Sequence, residues 1–448
     1  MSARPWAGRR LHFVGIGGAG MSGLACVAAE LGALVTGSDR AESAYLPRVR
    51  AAGIEPAIGH DAANVPADNG VELVVSTAIP PDNSERAAGR ERGLAELHRS
   101  ELLGELTRLK RCIAVTGTHG KSTTTAMAYR ALRGAGLDPA YAAGAELAET
   151  GANAGWGTGE WIVVEADESD RSLLALAPEI AVLTSLELDH HATYGSKQDL
   201  EETMRTFLAG VPHAVIWDRP ELVALADGPV TAYEPADVRL HPGGSEFTAG
   251  GVAVSLPVPG LHNARNAAAA LAAARLAGAD PAAAAAALAS FEGTGRRFER
   301  VGATPSGAEI YDDYAHHPTE VAATLAAART LQPRRLIAVF QPHLYSRTAA
   351  LWRDFGTALA AADEAVVLDV YRAREAPADF PGVSGVLIAR AAAQAAAGRP
   401  VAWMPTLDDA AAYLAPRLRA GDLLLTLGAG DVDSLGRRLA EPAGGPPA

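Results

Sequence analysis

Short β-branched runs alternate with longer stretches rich in alanine and leucine along most of this sequence. This alternation is typical of parallel sheets covered by helices, and it argues against a β-sandwich or a helical bundle. It predicts ten strands, at 11–14, 33–36, 73–76, 112–116, 161–165, 180–184, 308–311, 335–340, 364–368 and 422–427. We therefore predict an α/β fold.

The length of 448 residues predicts about three domains, at roughly 150 residues each. The alternating pattern breaks twice, after the charged helical stretch 94–110 and again in the glycine- and proline-containing stretch 302–307. These breaks predict domains over 1–110, 111–301 and 302–448.

The charge balance and the cysteines limit what the protein can bind. Lys+Arg number 39 and Asp+Glu number 52, and the net charge of -13 has the wrong sign for tracking nucleic acid or an anionic membrane. The two cysteines, Cys26 and Cys112, are too few for a disulfide framework or a thiolate zinc site. We expect a protein of the reducing cytoplasm that does not bind nucleic acid.

One segment superficially resembles a membrane anchor or a secretory signal. The 19 residues 11–29 contain no acid, lysine or arginine, and they follow Arg9 and Arg10. Five glycines within this segment disfavour a continuous helix and favour a turn. We therefore predict no stable membrane insertion.

The first glycine-rich motif, residues 15–20 (GIGGAG), follows an apolar strand and opens a helix. In this setting glycines allow a diphosphate to approach the helix N-terminus, where free N–H groups and the helix dipole favour anions. Asp39 ends the next strand and could accept a hydrogen bond from a ribose hydroxyl. The motif predicts a nucleotide diphosphate but leaves NAD and a nucleoside-diphosphate sugar open, and a simple packing turn is the alternative.

The second motif, residues 116–123 (TGTHGKST), also lies between a strand and a helix. Its glycines are closer together than in the common phosphate loop, but the chemical parts are present. Backbone N–H groups would hold phosphate oxygens, Lys121 would add a positive charge and the Ser122 hydroxyl suits Mg²⁺. This motif predicts a site for ATP or GTP.

Acidic groups follow the next two predicted strands. Glu165 ends one strand, and the other leads into a segment that contains Asp189 and His190. Because ligands of such sheets bind at the carboxyl ends of the strands, we predict Mg²⁺ between Glu165, Ser122 and phosphate oxygens. His190 is a less obvious ligand, since imidazole prefers softer metals.

Three further groups stand in the last part of the chain. His262 and Asn263 begin an alanine-rich helix, where an amide is as often a helix cap as a base reader. The two histidines His316 and His317 are accompanied by neither a cysteine nor a spaced third histidine, so a zinc site is disfavoured. Arg347 follows a strand and could clamp a carboxylate.

Taken in order, the segments GIGGAGMSG, TGTHGKSTTT, EADESD, ELDHHATYG, GLHNARNA, RRFE, DDYAHHPTE, FQPHLYSRT, DVYRARE and GAGDV resemble the Mur ligase family. The resemblance extends from about residue 11 to about residue 435. It implies three α/β domains: an N-terminal Rossmann-like domain for a UDP-sugar, a central P-loop-type ATPase sheet and a C-terminal Rossmann-like domain for an amino acid. It also implies UDP rather than NAD at the first turn.

The resemblance implies roles for individual residues. The UDP-sugar would lie near Gly17, Gly18, Ala19, Gly20, Met21, Ser22, Asp39, Ser76 and Thr77. ATP would contact Gly117, Thr118, His119, Gly120, Lys121, Ser122, Thr123, His262, Asn263 and Asp313. Two Mg²⁺ ions would be held by Ser122, Glu165 and His190. The transferred phosphate would face Arg297, and the incoming amino acid would lie near His343, Arg347 and Arg374.

The implied activity is ATP-dependent joining of L-alanine to the lactyl carboxylate of UDP-N-acetylmuramate through an acyl phosphate, in the synthesis of the peptidoglycan precursor. Lys121 and Arg297 would stabilise the moving phosphoryl group, and His343 would deprotonate the amine. Two positions depart from the family pattern: Leu344 replaces an arginine of some members, and Ser122 replaces a commoner threonine. We expect a monomer or a homodimer. A catalytically silent relative and an NAD-dependent dehydrogenase are the competing hypotheses.

Overall fold

The computed structural model of the protein describes residues 4–68, 70–190 and 193–440. The chain forms two compact units. The first contains Met1–Leu186, Glu201–Glu234 and Ala267–Ala287, and the second contains Glu187–Leu200, Pro235–Asn266 and Leu288–Ala448.

The first sheet of the first unit has five parallel strands in the order β3-β2-β1-β4-β5. Its strands are β1 (Arg10–Val14), β2 (Leu34–Asp39), β3 (Ala57–Ile58), β4 (Val71–Val75) and β5 (Ala95–His98). The helices of this segment are α1 (Ala19–Glu30), α2 (Leu46–Ala51), α3 (Ser84–Glu91) and α4 (Arg99–Thr107). This strand order brings the ends of β1 and β4 together at the switch point of the sheet, where such folds bind ligands.

The second sheet of the first unit has seven strands in the order β12-β11-β10-β6-β9-β7-β8, and only β8 runs antiparallel to its neighbour. Its strands are β6 (Arg111–Thr116), β7 (Ala140–Leu147), β8 (Ala152–Gly155), β9 (Trp161–Glu165), β10 (Ile180–Leu183), β11 (His213–Trp217) and β12 (Val230–Tyr233). The helices of this segment are α5 (Lys121–Gly134), α6 (Lys197–Leu208) and α7 (Pro220–Val223). Because β6 lies between β9 and β10, three consecutive strand ends meet at one edge.

A small antiparallel sheet follows, with strands β13 (Ala236–His241), β14 (Gly244–Ala249) and β15 (Val252–Leu256). Two alanine-rich helices come next, α8 (Leu261–Leu276) and α9 (Pro281–Leu288). Glycine is required where α5 contacts α9, because a Cβ on Gly134 would lie 2.2 Å from the Cβ of Ala287.

The last sheet belongs to the second unit and has six strands in the order β16-β17-β21-β18-β19-β20, all parallel except β16. Its strands are β16 (Glu299–Ala303), β17 (Glu309–Asp313), β18 (Arg335–Phe340), β19 (Glu364–Val367), β20 (Val401–Trp403) and β21 (Asp422–Leu427). The helices are α10 (Pro318–Thr330), α11 (Tyr345–Leu359), α12 (Gly385–Ala395), α13 (Leu407–Leu414) and α14 (Asp433–Ala440). Buried residues on both faces of the central strands form two apolar clusters.

The predicted α/β fold is confirmed, and each of the ten predicted strands is present within two residues at its ends, except β2, which ends three residues later than predicted. The strands that the sequence did not predict are short, rich in alanine and glycine, or at a sheet edge, with the exception of the interior strands β11 and β14. For example, β3 has two residues and β8 has the sequence ANAG. Such segments carry too few β-branched residues to be recognised by composition.

The uncharged segment 11–29 forms most of β1, the glycine-rich turn and most of α1, as its glycines predicted. Among the described residues, no helix has the length and apolar character needed to cross a membrane. Both cysteines are free: Cys26 is partly buried in α1 and Cys112 is buried on β6. Burial raises the pKa of both thiols above the usual value.

Candidate active site

The phosphate loop connects β6 to α5 at the carboxyl edge of the seven-stranded sheet. Gly117 and Gly120 have φ angles of +126° and +83°, which L side chains rarely adopt. A Cβ on Gly117 would also lie 2.3 Å from Oγ1 of Thr184, so this position has no room for a side chain. Because α5 begins without a side-chain cap, the N–H groups of its first turn are suited to receive an anion.

Lys121 is the first residue of α5, and its ammonium group reaches back over the loop. Nζ donates to the carbonyl of Gly117 at 2.7 Å and forms an ion pair with both carboxylate oxygens of Glu168, at 3.0 and 2.9 Å. The side chain of Lys121 is partly buried, with 13% of its surface exposed, and that of Glu168 is buried, with 1% exposed. Burial acts to lower the pKa of Lys121, but the charges of Glu168, Asp167 and Glu165 outweigh it and raise this pKa. Glu168 is therefore a partner of Lys121 that the sequence analysis missed.

Glu165 ends β9 beside the phosphate loop. The register pairs Val115 of β6 with Glu165, which places the carboxylate at the edge where the loop begins. Oε2 accepts a hydrogen bond from the N–H of Gly144 at 2.7 Å, and a Cβ on Gly144 would lie 2.6 Å from Oε1. Ser122 is buried in the first turn of α5. A carboxylate and a hydroxyl are hard oxygen donors, so the chemistry of this pair fits Mg²⁺.

His190 belongs to the other compact unit, where it follows Asp189 directly. Its backbone is left-handed, with φ at +54°, and its Nε2 lies 3.8 Å from Oδ2 of Asp189.

The first glycine-rich turn joins β1 to α1. Gly15 has a φ angle of +83°, and Oδ2 of Asp39 accepts the N–H of Gly17 at 2.8 Å. Ser43 donates its hydroxyl to the carbonyl of Gly17 at 2.9 Å. Asp39 therefore fixes the shape of the turn, a role that the sequence analysis did not anticipate. The helix α1 begins after Gly18 without a side-chain cap, and Ser76 follows the parallel strand β4 at the same end of the sheet.

Arg99, the first residue of α4, lies next to this turn and was also missed. A Cβ on Gly20 would lie 3.1 Å from Nη1 of Arg99. Nη2 lies 3.8 Å from Asp167 and 4.0 Å from Asp170, which are long contacts for an ion pair. An isolated arginine at a helix start carries no sequence signal, so only the fold reveals this neighbourhood.

In the second unit, Asp313 ends β17 and binds two backbone N–H groups. Oδ2 accepts from Phe298 and Oδ1 accepts from Ala315, both at 2.8 Å. Burial raises the pKa of Asp313 to about 6, and the nearby charge of Arg297 opposes this increase. The guanidinium of Arg297 lies 4.9 Å from the centre of the Tyr314 ring.

The start of α8 holds the other two residues that were predicted for ATP. The side-chain amide of Asn263 donates to the carbonyl of Pro259, just before the helix, at 2.8 Å. Burial lowers the pKa of His262 to about 4, so this imidazole is neutral at pH 7. The contact of Asn263 is not a helix cap, since a cap accepts from the free N–H groups of the first turn.

Arg347 is almost completely buried in the first turn of α11, and its charge is already paired. Nε and Nη2 donate to the two carboxylate oxygens of Asp189 at 2.9 and 3.0 Å, and Nη1 donates to the carbonyl of His343 at 3.2 Å. This ion pair holds the pKa of Asp189 well below its usual range against the opposing effect of burial. The sequence predicted that Arg347 could bind a carboxylate, and in the structure it binds the carboxylate of Asp189.

His343 lies between Arg347 and the segment that contains Arg374. Its ring stacks on Tyr371 with centroids 5.8 Å apart. Burial, followed by the positive charges of Arg347 and Arg374, lowers the pKa of His343 to about 4. A neutral imidazole of this kind can accept a proton at pH 7, and Arg374 is exposed beside it.

Comparisons with known proteins identify the family of this chain. Three family models match successive parts of the chain: "Mur ligase family, catalytic domain" over residues 10–111, "Mur ligase middle domain" over 115–274 and "Mur ligase, glutamate ligase domain" over 296–430. The chain is similar to two proteins named UDP-N-acetylmuramate–L-alanine ligase. The one from Mycolicibacterium smegmatis is 44% identical over 96% of this chain and 94% of that protein. The one from Streptomyces griseus is 44% identical over 98% of each chain.

A solved structure gives the same result. The crystal structure of UDP-N-acetylmuramate-alanine ligase from Thermotoga maritima superimposes with a TM-score of 0.81 at 28% identity, covering 96% of this chain and 98% of that chain. The three-domain α/β fold is thereby confirmed. The identity and the coverage of these relatives, together with the three matched models, establish that this chain belongs to the Mur ligase family.

Proposed function

We propose that the protein is an ATP-dependent ligase that joins L-alanine to the lactyl carboxylate of UDP-N-acetylmuramate, in the synthesis of the peptidoglycan precursor. The observation that carries this proposal is the phosphate loop of the central sheet, with Lys121 at the helix start and Glu165 on the adjacent strand. The 44% identity to full-length relatives of that name supports the choice of substrates.

The reaction has two chemical steps. A carboxylate is a poor electrophile, so an oxygen of the lactyl carboxylate first attacks the terminal phosphorus of ATP, which forms an acyl phosphate and releases ADP. The amine of L-alanine then attacks the acyl carbon, an amide forms and inorganic phosphate leaves. We assign the acceptance of the amine proton to His343, whose imidazole is neutral at pH 7; the lowered pKa also makes it a weaker base than an exposed histidine.

Lys121 and Arg297 stabilise the charge that develops on the transferred phosphoryl group. Lys121 reaches the phosphates by exchanging Glu168 for phosphate oxygens, since both are anionic partners for the same ammonium group. The loop residues Gly117, Thr118, His119, Gly120, Ser122 and Thr123 hold the phosphates. His262 and Asn263 lie on the adenine side of the nucleotide, and Asp313 on the ribose side.

Ser122 and Glu165 would hold one Mg²⁺, and His190 would hold a second. When bound, these ions would neutralise the charge of the phosphates and fix their orientation. The residues of the chain prepare the first site without its ion: the N–H of Gly144 holds one oxygen of Glu165, and the start of α5 fixes Ser122.

The sugar nucleotide binds at the first turn, along residues 17–22 and beside Asp39, Ser76 and Thr77. The uncapped start of α1 offers N–H groups to the diphosphate. Arg99 adds a positive charge beside Gly20, held only by long contacts to Asp167 and Asp170. These contacts leave Arg99 able to pair with an incoming anion.

The amino acid binds near His343, Arg347 and Arg374. Since Asp189 occupies the Nε–Nη2 edge of the Arg347 guanidinium, which suits a carboxylate, the carboxylate of alanine competes with Asp189 there. Arg374 is exposed and close enough to lower the pKa of His343, so it supplies a second positive charge for the same carboxylate.

An assay of phosphate release tests the function. With Mg-ATP, UDP-N-acetylmuramate and L-alanine, we expect phosphate release that requires all three and a product that contains alanine. UDP-N-acetylglucosamine, which lacks the lactyl carboxylate, serves as the matched control and should support no release. Release that is independent of the sugar nucleotide or of alanine would contradict the proposal. Saturable binding of NAD would instead favour a dehydrogenase.

The cellular setting follows from the same chemistry. Both thiols are free, which is consistent with a reducing compartment, and we place the reaction in the cytoplasm. We propose a monomer or a homodimer, which sedimentation of the purified protein would distinguish.

A further inference from the structure

Arg296 precedes Arg297 in the chain, but its guanidinium makes entirely different contacts. Nε donates to Oδ2 of Asp312 at 2.9 Å. Nη1 donates to the carbonyl of Gly430 at 2.9 Å, and Nη2 donates to the carbonyl of Gly428 at 2.8 Å. One side chain therefore ties the turn before β16 to the end of β17 and to the glycine loop after β21.

The backbone of this turn is unusual on both sides of Arg297. Arg296 and Phe298 both have left-handed conformations, with φ angles of +57° and +52°. Such conformations cost free energy for residues other than glycine, so the surroundings must hold them in place. The carbonyl of Arg296 accepts the N–H of Tyr314 at 2.8 Å, and the N–H of Phe298 donates to Asp313 at 2.8 Å.

Arg297 lies between these two fixed residues and makes few contacts of its own. Its guanidinium lies 4.9 Å from the centre of the Tyr314 ring, and that of Arg296 lies 5.2 Å from the same centre. Two like charges beside one ring repel each other, so Arg296 needs its anchors in order to stay. The anchors of Arg296 therefore keep its guanidinium in place beside the ring that Arg297 also contacts.

We propose that Arg296 is a positioning residue for the ligase reaction: it holds the turn 294–298 against β17 and the glycine loop so that Arg297 points at the transferred phosphate. This inference rests on the proposed function. Three of the five N–H groups of Arg296 bind Asp312, Gly428 and Gly430, so we assign the contact with the phosphate to Arg297 and not to Arg296.

A double-mutant cycle tests the proposal in the full-length enzyme. We expect Arg296→Lys to lower kcat about 10- to 100-fold, because lysine keeps the charge but cannot bind three acceptors in a plane, and to change the KM for ATP less than about 2-fold. In an Arg297→Met background, Arg296→Lys should lower kcat no further, since the residue through which it acts is already missing. A purely structural role for Arg296 would give losses that multiply.

Arg300→Lys is the matched control. Arg300 lies four positions later on β16 and forms an exposed ion pair with Glu309, so its substitution should leave kcat unchanged. Asp312→Asn weakens the same contact by removing the charge of the carboxylate that Arg296 binds, and it should also lower kcat. This variant provides the test if Arg296→Lys fails to fold.

Three results would overturn the proposal: an unchanged kcat in Arg296→Lys, multiplying losses in the double variant, or full activity in Asp312→Asn. A wild-type protein that releases no phosphate would instead contradict the proposed function itself. The two failures are therefore distinguishable.

Discussion

Lys121 and Glu168 show how one residue can serve both stability and chemistry. The sequence predicts a lysine that binds phosphate, and the structure also pairs it with the buried Glu168 at the start of α5. The loss of one partner of a buried ion pair leaves an uncompensated charge.

We therefore expect Lys121→Met to abolish turnover and also to lower the free energy of unfolding by about 3–5 kcal/mol. In Lys121→Met/Glu168→Gln the uncompensated charge is gone, so stability should recover while activity does not. Urea unfolding and the phosphate-release assay measure the two effects. If Lys121→Met were as stable as the wild type, the ion pair between Lys121 and Glu168 would not contribute to the free energy of unfolding.

His343 gives a prediction about pH. Its pKa of about 4 in the folded protein lies below the usual 6.5, chiefly through burial. Between these values the unfolded chain binds more protons than the folded protein, so the stability contributed by this residue increases with pH and is lost as the pH falls from about 6.5 to about 4.

Removal of the positive charge in Arg374→Met should raise the pKa of His343, because that charge disfavours the imidazolium. Histidine titration by NMR measures the shift, and Arg390→Met, an exposed arginine on α12, provides the control. An unchanged titration in Arg374→Met would show that the two side chains do not interact.

Among the elements, the hairpin β7–β8 contacts both α1, which follows the first glycine-rich turn, and Glu165, which lies beside the phosphate loop. From β7, Gly144 holds Glu165, and from β8, Asn153 donates its amide to the carbonyl of Ala19 in α1. The contact with α1 requires glycine, because a Cβ on Gly23 would lie 2.5 Å from Oδ1 of Asn153 and 2.8 Å from the Cβ of Ala154.

We expect Gly23→Ala to lower the free energy of unfolding by about 1 kcal/mol, since overpacking outweighs what alanine gains within a helix. The shift of α1 should also weaken the binding of the sugar nucleotide. Gly228→Ala is the control, because the only neighbour within 4 Å of its added Cβ is a carbonyl at 3.6 Å. Calorimetric unfolding and titration with UDP-N-acetylmuramate measure both effects, and a more stable Gly23→Ala would refute the tight contact.

The same elements explain what the sequence predicts and what it does not. The central strands carry long β-branched runs, so β6, β9 and β18 could be predicted almost to the residue. Both glycine-rich turns could be predicted because their spacing serves a defined backbone geometry. The partners Glu168, Asp189, Arg99 and Arg296 could not, because each acts through a neighbour that is distant in sequence or that belongs to no recognisable spacing.

For the whole molecule, the net charge of -13 affects how anionic substrates arrive. Both nucleotide substrates are anions, so the overall field of the protein repels them and only local groups such as Lys121 attract them. Salt screens the long-range repulsion more than the short-range attraction.

We expect the association rate of ATP to increase as the ionic strength rises from about 0.01 to about 0.15 M, over which the screening length falls from about 30 to about 8 Å. Stopped-flow fluorescence with a labelled ATP measures this rate. Labelled adenosine, which has no phosphate, should show no such dependence. A rate for ATP that falls with salt would mean that the local positive charges dominate at long range.

The two native thiols have a practical consequence for attaching fluorescent dyes to the protein. Cys112 is buried, and the pKa of both thiols is raised, so neither provides much thiolate at neutral pH. A cysteine introduced at an exposed position would therefore react first with a maleimide dye, without prior removal of the native ones. A dye attached in this way would report the binding of each substrate through a change in its fluorescence.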